Sequence, residues 1–316
     1  MKVYVKTPAR LHLGLIDLNG GLGRMFGGLG VGINRPNVIL EVQPSERLVF
    51  TGERTEQVKT LAKRFLETYN IKSNVTINVK QVIPEHSGLG SGTQLALATS
   101  TGLAKLFGVK ASVQELAEAM GRGRRTSVGT TIFEQGGFVI DGGKITSEKR
   151  FPTTIFRQPF PQDWRFVVAV PDVNKGLAKN EESSAFGALT PMKAEDAGKM
   201  CRLILMKLLP SLVERDIKSF GEALTQIQIF IGNYFAKVQG GIYSSQAVAE
   251  GIAILQKLSA YGVGQSSWGP AFYGVTQKDK AKEIETNVKA FLRKGVGGQV
   301  FVAKANNRGA YIKITR

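Results

Sequence analysis

A glycine-rich loop at residues 84–94 constrains the fold more than any other stretch, because it joins a strand pattern to a helix pattern. Before the loop, apolar and polar residues alternate over 75–80, which predicts a β-strand. After it, the small and apolar run 95–107 predicts a buried helix that ends at Gly108. The loop therefore leads into a helix N-terminus, where free backbone N–H groups and the helix dipole favour an anion.

The residue types in this loop suit a phosphate or diphosphate ligand. Glycine lets an anion approach the backbone closely, and Ser91 and Thr93 add hydroxyl donors. A tight turn with a helix cap is the alternative, because the same residue types are common there. The predicted phosphate-binding residues are Gly88, Leu89, Gly90, Ser91, Gly92, Thr93 and Gln94.

Composition favours a globular protein that binds an anionic substrate. The 316 residues are 42% hydrophobic, which suits two packed domains. The net charge of +17 would concentrate a substrate that carries several phosphates. A solvated lysine-rich surface and nonspecific attraction to nucleic acid are the alternatives. Specific nucleic-acid binding is disfavoured because no stretch interleaves aromatic and basic residues as a base-stacking platform does.

The sequence predicts a cytoplasmic protein with no membrane segment. The best apolar run, 203–213, is interrupted by Lys207 and Pro210. The first residues alternate like a strand and lack the apolar core of a signal peptide. The single cysteine, Cys201, excludes an internal disulfide, and two histidines argue against a Cys/His metal cluster.

A second candidate anion site is the arginine-rich segment 121–129. Arg122, Arg124 and Arg125 lie among glycines, and guanidinium groups are always charged and costly to bury. We therefore expect them to face water or an anion. A phosphate is the sharper hypothesis, because the fork of an arginine side chain matches phosphate oxygens.

Periodicity and capping signals predict the remaining elements. A capping box at Ser112–Glu115 opens one helix, and strands 299–303 and 311–314 are predicted to pair around the turn 306–309. This mixture predicts an α/β sandwich for the second half, with domains at 1–155 and 156–316. The helix that the capping box opens spans 112–121, and the other predicted helices span 57–69, 194–209, 213–231, 244–261 and 279–293.

Three segments together resemble the motifs of the GHMP kinase superfamily. They are Pro8-Ala9-Arg10, Pro84 with the Gly88-Leu89-Gly90-Ser91 run, and the late loop 265–270. The resemblance implies an α+β, GHMP-kinase-like two-domain fold with the active site between the domains.

Departures from the kinase pattern argue against kinase activity. Superfamily kinases usually have a second serine and an alanine at the positions of Gly92 and Gln94. Their third glycine-rich motif is replaced here by a loop that contains Trp268 and Pro270. Both residues would obstruct a loop that closes on phosphates.

One non-kinase branch matches most of the chain in order. The matching segments resemble the beta-ribofuranosylaminobenzene 5'-phosphate synthase family. The resemblance implies that 5-phosphoribosyl diphosphate is joined to 4-aminobenzoate, or to 4-hydroxybenzoate, with release of CO2 and pyrophosphate in tetrahydromethanopterin biosynthesis. It also implies a homodimer. The segments that carry it are 8–18, 26–31, 88–94, 121–125, 133–143 and 265–270.

The resemblance makes Mg2+ the expected cofactor, because negative charge accumulates on the departing pyrophosphate. Glu134 and Asp141 are the candidate carboxylates for Mg2+ or for balancing positive charge on the sugar, and a solvated or arginine-paired role is the alternative. No pyridoxal cofactor is expected, because the acceptor ring itself serves as the electron reservoir. A nicotinamide site is not predicted, since the early glycine clusters lack a strand-to-helix context.

The remaining site predictions concern two polar and two aromatic positions. Arg10 and His12 share one face of an extended segment and could meet a carboxylate or phosphate, or His12 could be a core residue. Trp268 and Phe26 could form a slot for the flat acceptor, although aromatic residues more often pack in the core. Ser266 and Ser267 are predicted to contact substrate, and the predicted catalytic residues are His12, Glu134 and Asp141.

Two other functions stay open on the sequence alone. One is an ATP-dependent kinase of a small alcohol or acid. The other is a basic RNA-binding module, which would show a strongly salt-dependent affinity for RNA.

Overall fold

The computed structural model describes residues 1–148, 150–173 and 184–315. Its first sheet has the strand order β14-β1-β4-β6-β5, and β5 and β6 are its parallel pair. The bounds of these strands are β1 Lys2–Lys6, β4 Ile39–Ser45, β5 Val49–Gly52, β6 Asn74–Gln81 and β14 Tyr311–Thr315.

Two further sheets are antiparallel. The second has the order β2-β3-β7-β9, with β8 on the far end of β3, and the third has the order β11-β12-β10-β13. The strands of the second sheet are β2 Ala9–Asp17, β3 Arg24–Ile33, β7 Phe138–Asp141, β8 Lys144–Ile145 and β9 Thr154–Gln158. Those of the third are β10 Trp164–Pro171, β11 Gly262–Gln265, β12 Phe272–Gln277 and β13 Gly298–Ala303.

The helices fall into two groups, one in each half of the chain. A π-helical turn, Ile204–Leu208, joins α5 to α6. In the first half the helices are α1 Thr55–Thr68, α2 Ser91–Phe107, α3 Val113–Ala119 and α4 Val128–Gln135. In the second half they are α5 Ala194–Leu203, α6 Leu209–Glu214, α7 Ile217–Gln239, α8 Gln246–Lys257 and α9 Ala281–Lys294.

Helix α2 is the central helix of the first half, and it is buried along nearly its whole length. It lies close against the first sheet, because a Cβ on Gly102 would come within 2.7 Å of Val42 Cγ2. The predicted helix after the glycine-rich loop is confirmed, and it ends at Gly108 in the left-handed conformation, with φ 70°. The capping box at Ser112 and Glu115 is also confirmed.

The α+β, two-domain GHMP-kinase-like architecture is confirmed, but the chain crosses between its halves differently from the prediction. Strands β13 and β14 do not pair with each other: β13 pairs with β10, and β14 pairs with β1. The turn between them is held against α4, where Ala310 N donates to Phe133 O at 2.6 Å. The predicted domain boundary after residue 155 falls inside β9, whose partner is β7 of the second sheet.

The boundaries of α7 differ from the predicted range 213–231. Arg215 adopts a left-handed conformation that ends α6. Asp216 then caps α7 by accepting hydrogen bonds from Lys218 N and Ser219 N, at 3.0 and 3.1 Å. An Asp at the N-cap was available as a helix-start signal, whereas the apolar pattern runs through both helices.

Among the described residues, no helix combines the length and apolar character needed to span a membrane. The cytoplasmic location and the homodimer stay predictions.

Replacing Gly102 with alanine tests the close packing of α2. We expect Gly102→Ala to lower the free energy of unfolding by about 1–3 kcal/mol, because the new methyl group overpacks the contact with Val42. Gly198→Ala on α5 is the matched control, because a Cβ at that position would have no neighbour within 4 Å. That change should stabilise by about 0.5–1 kcal/mol. Urea denaturation measures both, and equal midpoints for the two variants would contradict this account.

Candidate active site

A cavity of about 480 Å3 lies between the two halves of the chain. Residues of β2, the glycine-rich loop, the start of α2 and the segment 121–126 line it from the first half. Residues of α7 and of the loop after β11 line it from the second half. Glycines, arginines and aromatic side chains all contribute to its lining. We call residues 88–93 the phosphate cradle, and Phe186, Phe235 and Trp268 the aromatic wall.

The phosphate cradle rests directly on the loop that follows β11. Gly88 has φ 83°, and a Cβ on it would lie 2.1 Å from Ser266 O, so only glycine allows this approach. Ser266 Oγ donates to Gly88 O at 2.7 Å and accepts from His12 N at 2.9 Å. One buried hydroxyl therefore joins the cradle, β2 and the second half. Ser266 contacts the loop and does not line the cavity, whereas Ser267 does.

Arg10 runs alongside the cradle. Its Nη1 donates to Gly88 O at 2.7 Å, and its backbone N donates to Leu89 O at 3.1 Å. A Cβ on Gly90 would come within 2.7 Å of Arg10 Cγ, so the absence of a side chain at 90 makes room for the arginine. Arg10 lines the cavity, and its contact with a substrate stays a prediction.

The three predicted arginines all line the cavity, and Arg122 lies nearest the cradle. Its Nη1 is 3.2 Å from the position that a Cβ of Gly92 would occupy. Burial and the nearby charges of Arg64, Arg124 and Arg54 lower its pKa. Arg125 lies over the aromatic wall, with its guanidinium carbon 4.4 Å from the centre of the Phe186 ring.

Two of the predicted phosphate-binding residues point away from the cavity. Leu89 is fully buried in the hydrophobic core. Gln94 is also fully buried, and its Nε2 donates to Gly129 O at 2.9 Å. The other loop residues line the cavity, and their contact with a phosphate stays a prediction: Gly88, Gly90, Ser91, Gly92 and Thr93.

His12 lines the cavity but is almost fully buried. Burial, together with the charge of Arg10, lowers its pKa to about 3. The imidazole is therefore neutral at pH 7. It can donate or accept a hydrogen bond there, but it does not supply a positive charge for a carboxylate or phosphate.

Glu134 and Asp141 do not come together at the cavity. Glu134 is exposed on α4, and its Oε2 accepts from Gln135 Nε2 at 3.3 Å. Asp141 is fully buried, and its carboxylate accepts from Ser127 N at 2.8 Å and Gly143 N at 2.9 Å. Burial raises the pKa of Asp141 to about 6 despite these hydrogen bonds. Its carboxylate holds the turn before α4 in place.

The donors around the cavity do not fit a Mg2+ ion held by protein carboxylates. Of the described cavity-lining residues, Glu85 is the one with a carboxylate, and its Oε1 is 2.6 Å from Arg54 Nη2. No group of three His, Cys, Asp or Glu residues suited to a metal occurs in the described ranges. A magnesium ion in this cavity would take its anionic oxygen ligands from a substrate.

The aromatic wall includes one of the two predicted aromatic residues. The ring of Trp268 is 5.6 Å from that of Phe186 and 4.8 Å from that of Phe235, both edge-to-face. Phe26 contacts Phe186 at 5.7 Å but does not line the cavity. Phe186 and Phe235 were missed because neither lies in a motif, and an apolar position on a long helix such as α7 predicts core packing.

Two polar residues of the cavity, Arg54 and Gln57, were also missed from the sequence. They lie at the start of α1, where Arg54 is the N-cap with a left-handed φ of 54°. The predicted helix 57–69 began at Gln57 and left Arg54 outside it, and neither residue was assigned to the site. An arginine where Ser, Thr, Asp or Asn is usual was the available signal.

Comparison with known proteins agrees with this geometry. Residues 56–140 match the family model of the GHMP kinases N terminal domain, and residues 208–294 match that of the GHMP kinases C terminal domain. The solved homoserine kinase from Cytophaga hutchinsonii superposes with a TM-score of 0.71 at 17% identity, covering 99% of this chain and 97% of that one. The fold and the cavity between its halves define a protein of the GHMP kinase superfamily.

Curated relatives define the family more narrowly. The beta-ribofuranosylphenol 5'-phosphate synthase of Methanothermobacter thermautotrophicus is 33% identical, over 99% of this chain and 99% of the relative. The synthase of the same name from Archaeoglobus fulgidus is 36% identical, over 98% of this chain and 99% of the relative. The chain therefore belongs to the beta-ribofuranosylphenol 5'-phosphate synthase family, and it is an enzyme of that pentosyltransferase type.

The low pKa of His12 gives a spectroscopic prediction. The chain has two histidines, His12 and His86, so imidazole NMR spectra should contain two sets of signals. One set, which His12→Gln would remove, should stay neutral down to about pH 4, because the pKa of His12 is lowered to about 3. Two sets that both titrate above pH 6 would contradict the burial of His12.

The same shift fixes the sign of a stability change. The folded-state pKa of His12 lies below the ordinary value of 6.5, so the unfolded chain binds the proton first. The contribution of His12 to stability is therefore complete above pH 6.5 and is lost as the pH falls towards about 3. Denaturation of wild type and His12→Gln across this range measures the free energy of unfolding of each. The value for wild type minus that for the variant should fall as the pH falls from 6.5 towards about 3.

Proposed function

We propose that this enzyme joins the ribose of 5-phosphoribosyl diphosphate to 4-hydroxybenzoate, or to 4-aminobenzoate, in tetrahydromethanopterin biosynthesis. The bond between ribose C1 and the diphosphate breaks, and its electron pair leaves with pyrophosphate. A carbon–carbon bond forms between C1 and the ring carbon that bears the carboxylate. The bond to the carboxylate then breaks, its electrons return to the ring, and CO2 leaves. One observation carries the proposal: a cationic phosphate cradle and an aromatic wall share one cavity.

The cradle supports this chemistry at the leaving group. Negative charge grows on the diphosphate as it departs, and donors that are already in place stabilise it. The backbone N–H groups at the start of α2, the Ser91 and Thr93 hydroxyls and the Arg122 guanidinium surround that end of the cavity. Arg10 and Arg124 add positive charge beside it.

The aromatic wall supports the other half of the reaction. A flat acceptor that lies against Trp268 and Phe186 would be oriented towards the sugar, and apolar contact would exclude water from the reacting carbon. The hydroxyl or amino group para to the carboxylate supplies electron density to the attacking carbon. The curated relatives are named for a phenol product, which favours 4-hydroxybenzoate as the acceptor.

The proposal also agrees with the small number of acidic side chains that line the cavity. Loss of CO2 takes the place of the proton loss that would otherwise restore the aromatic ring. No general base is then required at that carbon. Within the described residues, the acidic side chain that lines the cavity, Glu85, is paired with Arg54. Kinase chemistry would instead activate an acceptor hydroxyl, commonly with a carboxylate base.

Arg122 gives a further argument against the kinase alternative. Its guanidinium lies beside Gly92, the position at which superfamily kinases usually have a serine near nucleotide and magnesium. A Cβ at 92 would lie 3.2 Å from Arg122 Nη1, so a side chain there would crowd the guanidinium. A fixed cation at this place suits direct contact with a diphosphate.

Carbon dioxide release tests the function directly. Purified protein is incubated with 5-phosphoribosyl diphosphate, Mg2+ and carboxyl-labelled 4-hydroxybenzoate, with 4-aminobenzoate in a parallel reaction. We expect labelled CO2 and pyrophosphate in equal amounts. ATP consumption with a small alcohol or acid, and no labelled CO2, would instead support a kinase.

Two substitutions should separate the ends of the cavity. Arg124→Ala should raise the KM for 5-phosphoribosyl diphosphate about 10-fold, because a charge-assisted contact to phosphate is lost. Trp268→Ala should raise the KM for the acceptor about 10-fold through loss of ring stacking. Each change should leave the other KM within about 3-fold, because the two ends of the cavity are separate contacts.

Arg293→Ala on α9 is the control for the first change, because it removes an exposed arginine outside the cavity. Thermal midpoints should be recorded for all three variants. A Trp268→Ala enzyme that weakens both substrates equally at an unchanged midpoint would argue against an aromatic acceptor site.

A further inference from the structure

We propose a second anion subsite, formed by Arg54, Gln57 and Arg122, that binds the 5-phosphate end of the donor while the phosphate cradle holds its diphosphate. This inference rests on the proposed function, because it assigns the two ends of the same donor. It brings into the site two residues of α1 that none of the sequence motifs includes.

Unpartnered buried atoms are the first observation. Arg54 Nη1, Gln57 Oε1 and Arg122 Nε are buried and lack a hydrogen-bond partner in the described structure. A buried polar atom that is left without a partner is destabilising. Three such atoms belong to residues that line one cavity, which indicates that a polar ligand satisfies them.

Local geometry fixes the position of Arg54. Its left-handed backbone places it at the N-cap of α1, and its side chain is only 13% exposed. Glu85 Oε1 accepts from Nη2 at 2.6 Å, which orients the guanidinium and leaves Nη1 for another acceptor. Gln57 lies three residues later and lines the same cavity.

Electrostatics identify the ligand as an anion. Arg54, Arg64 and Arg124 are close enough to Arg122 to lower its pKa, so four guanidinium groups share this region. Within the described lining of the cavity, Glu85 is the carboxylate that offsets them. Such crowding of like charge is relieved when a dianionic phosphate monoester binds.

The chemistry of the three free atoms also fits one end of a sugar phosphate. The two arginine nitrogens are donors and suit phosphate oxygens, whereas Gln57 Oε1 is an acceptor and suits a neighbouring hydroxyl. Arg122 links the two subsites, because its Nη1 lies beside Gly92 of the cradle and its charge interacts with Arg54. A ribose with a phosphate group at each end would contact Arg122 together with both subsites.

Calorimetric titrations with ribose 5-phosphate and with pyrophosphate test the inference. Arg54→Gln should raise the Kd for ribose 5-phosphate about 10- to 100-fold, because a charge-assisted hydrogen bond is lost. The Kd for pyrophosphate should change less than about 3-fold. Arg293→Gln is the charge-matched control and should change neither. Glu85→Gln removes the ion pair but keeps the arginine, so it should bind ribose 5-phosphate at least as tightly as wild type.

Each other outcome overturns the inference in a recognisable way. Equal weakening of both ligands by Arg54→Gln would mean one shared phosphate site. Equal weakening by Arg54→Gln and Glu85→Gln would mean that the ion pair only maintains the fold. If wild type releases CO2 and Arg54→Gln binds ribose 5-phosphate as tightly as wild type does, the proposed function stands and the subsite is ruled out. Wild type with no CO2 release and no affinity for 5-phosphoribosyl diphosphate would remove both.

Discussion

The site depends on one buried hydroxyl, that of Ser266. It donates to the carbonyl of Gly88 and accepts from the backbone N of His12, so three distant parts of the chain meet at one oxygen. Because Gly88 lies against the backbone at 266, the glycine-rich loop has little freedom to change shape. A rigid loop keeps its N–H groups directed at one place, which is what stabilising a departing anion requires.

The positive charge around the cavity depends on the glycines of the same loop. Because positions 90 and 92 are glycines, the side chains of Arg10 and Arg122 can lie against the loop at the start of α2. The carboxylates that the sequence offered for metal binding are used differently. Asp141 satisfies backbone N–H groups beneath the turn at 127, and Glu134 faces solvent. The cavity is consequently cationic and poor in general bases.

The sequence was informative where a local physical rule applies. The helix after the glycine-rich loop, the capping box at Ser112 and the arginines at 122–125 were readable, because each is encoded by adjacent residues. The aromatic wall was not, because Phe186 and Phe235 are brought to Trp268 only by tertiary packing. Arg54 was missed for a related reason: its usefulness depends on Glu85 and Arg122, which are distant in sequence.

The pairing of β14 with β1 has a mechanical consequence. The chain leaves the first half after β9, builds the third sheet, and returns beyond β13 to complete the first sheet. The chain therefore crosses between the two halves twice, once after β9 and once after β13. Residues of both halves also belong to one hydrophobic core, in which the rings of Phe138 and Phe220 lie 6.3 Å apart. The two halves are therefore held together by packing as well as by these two connections.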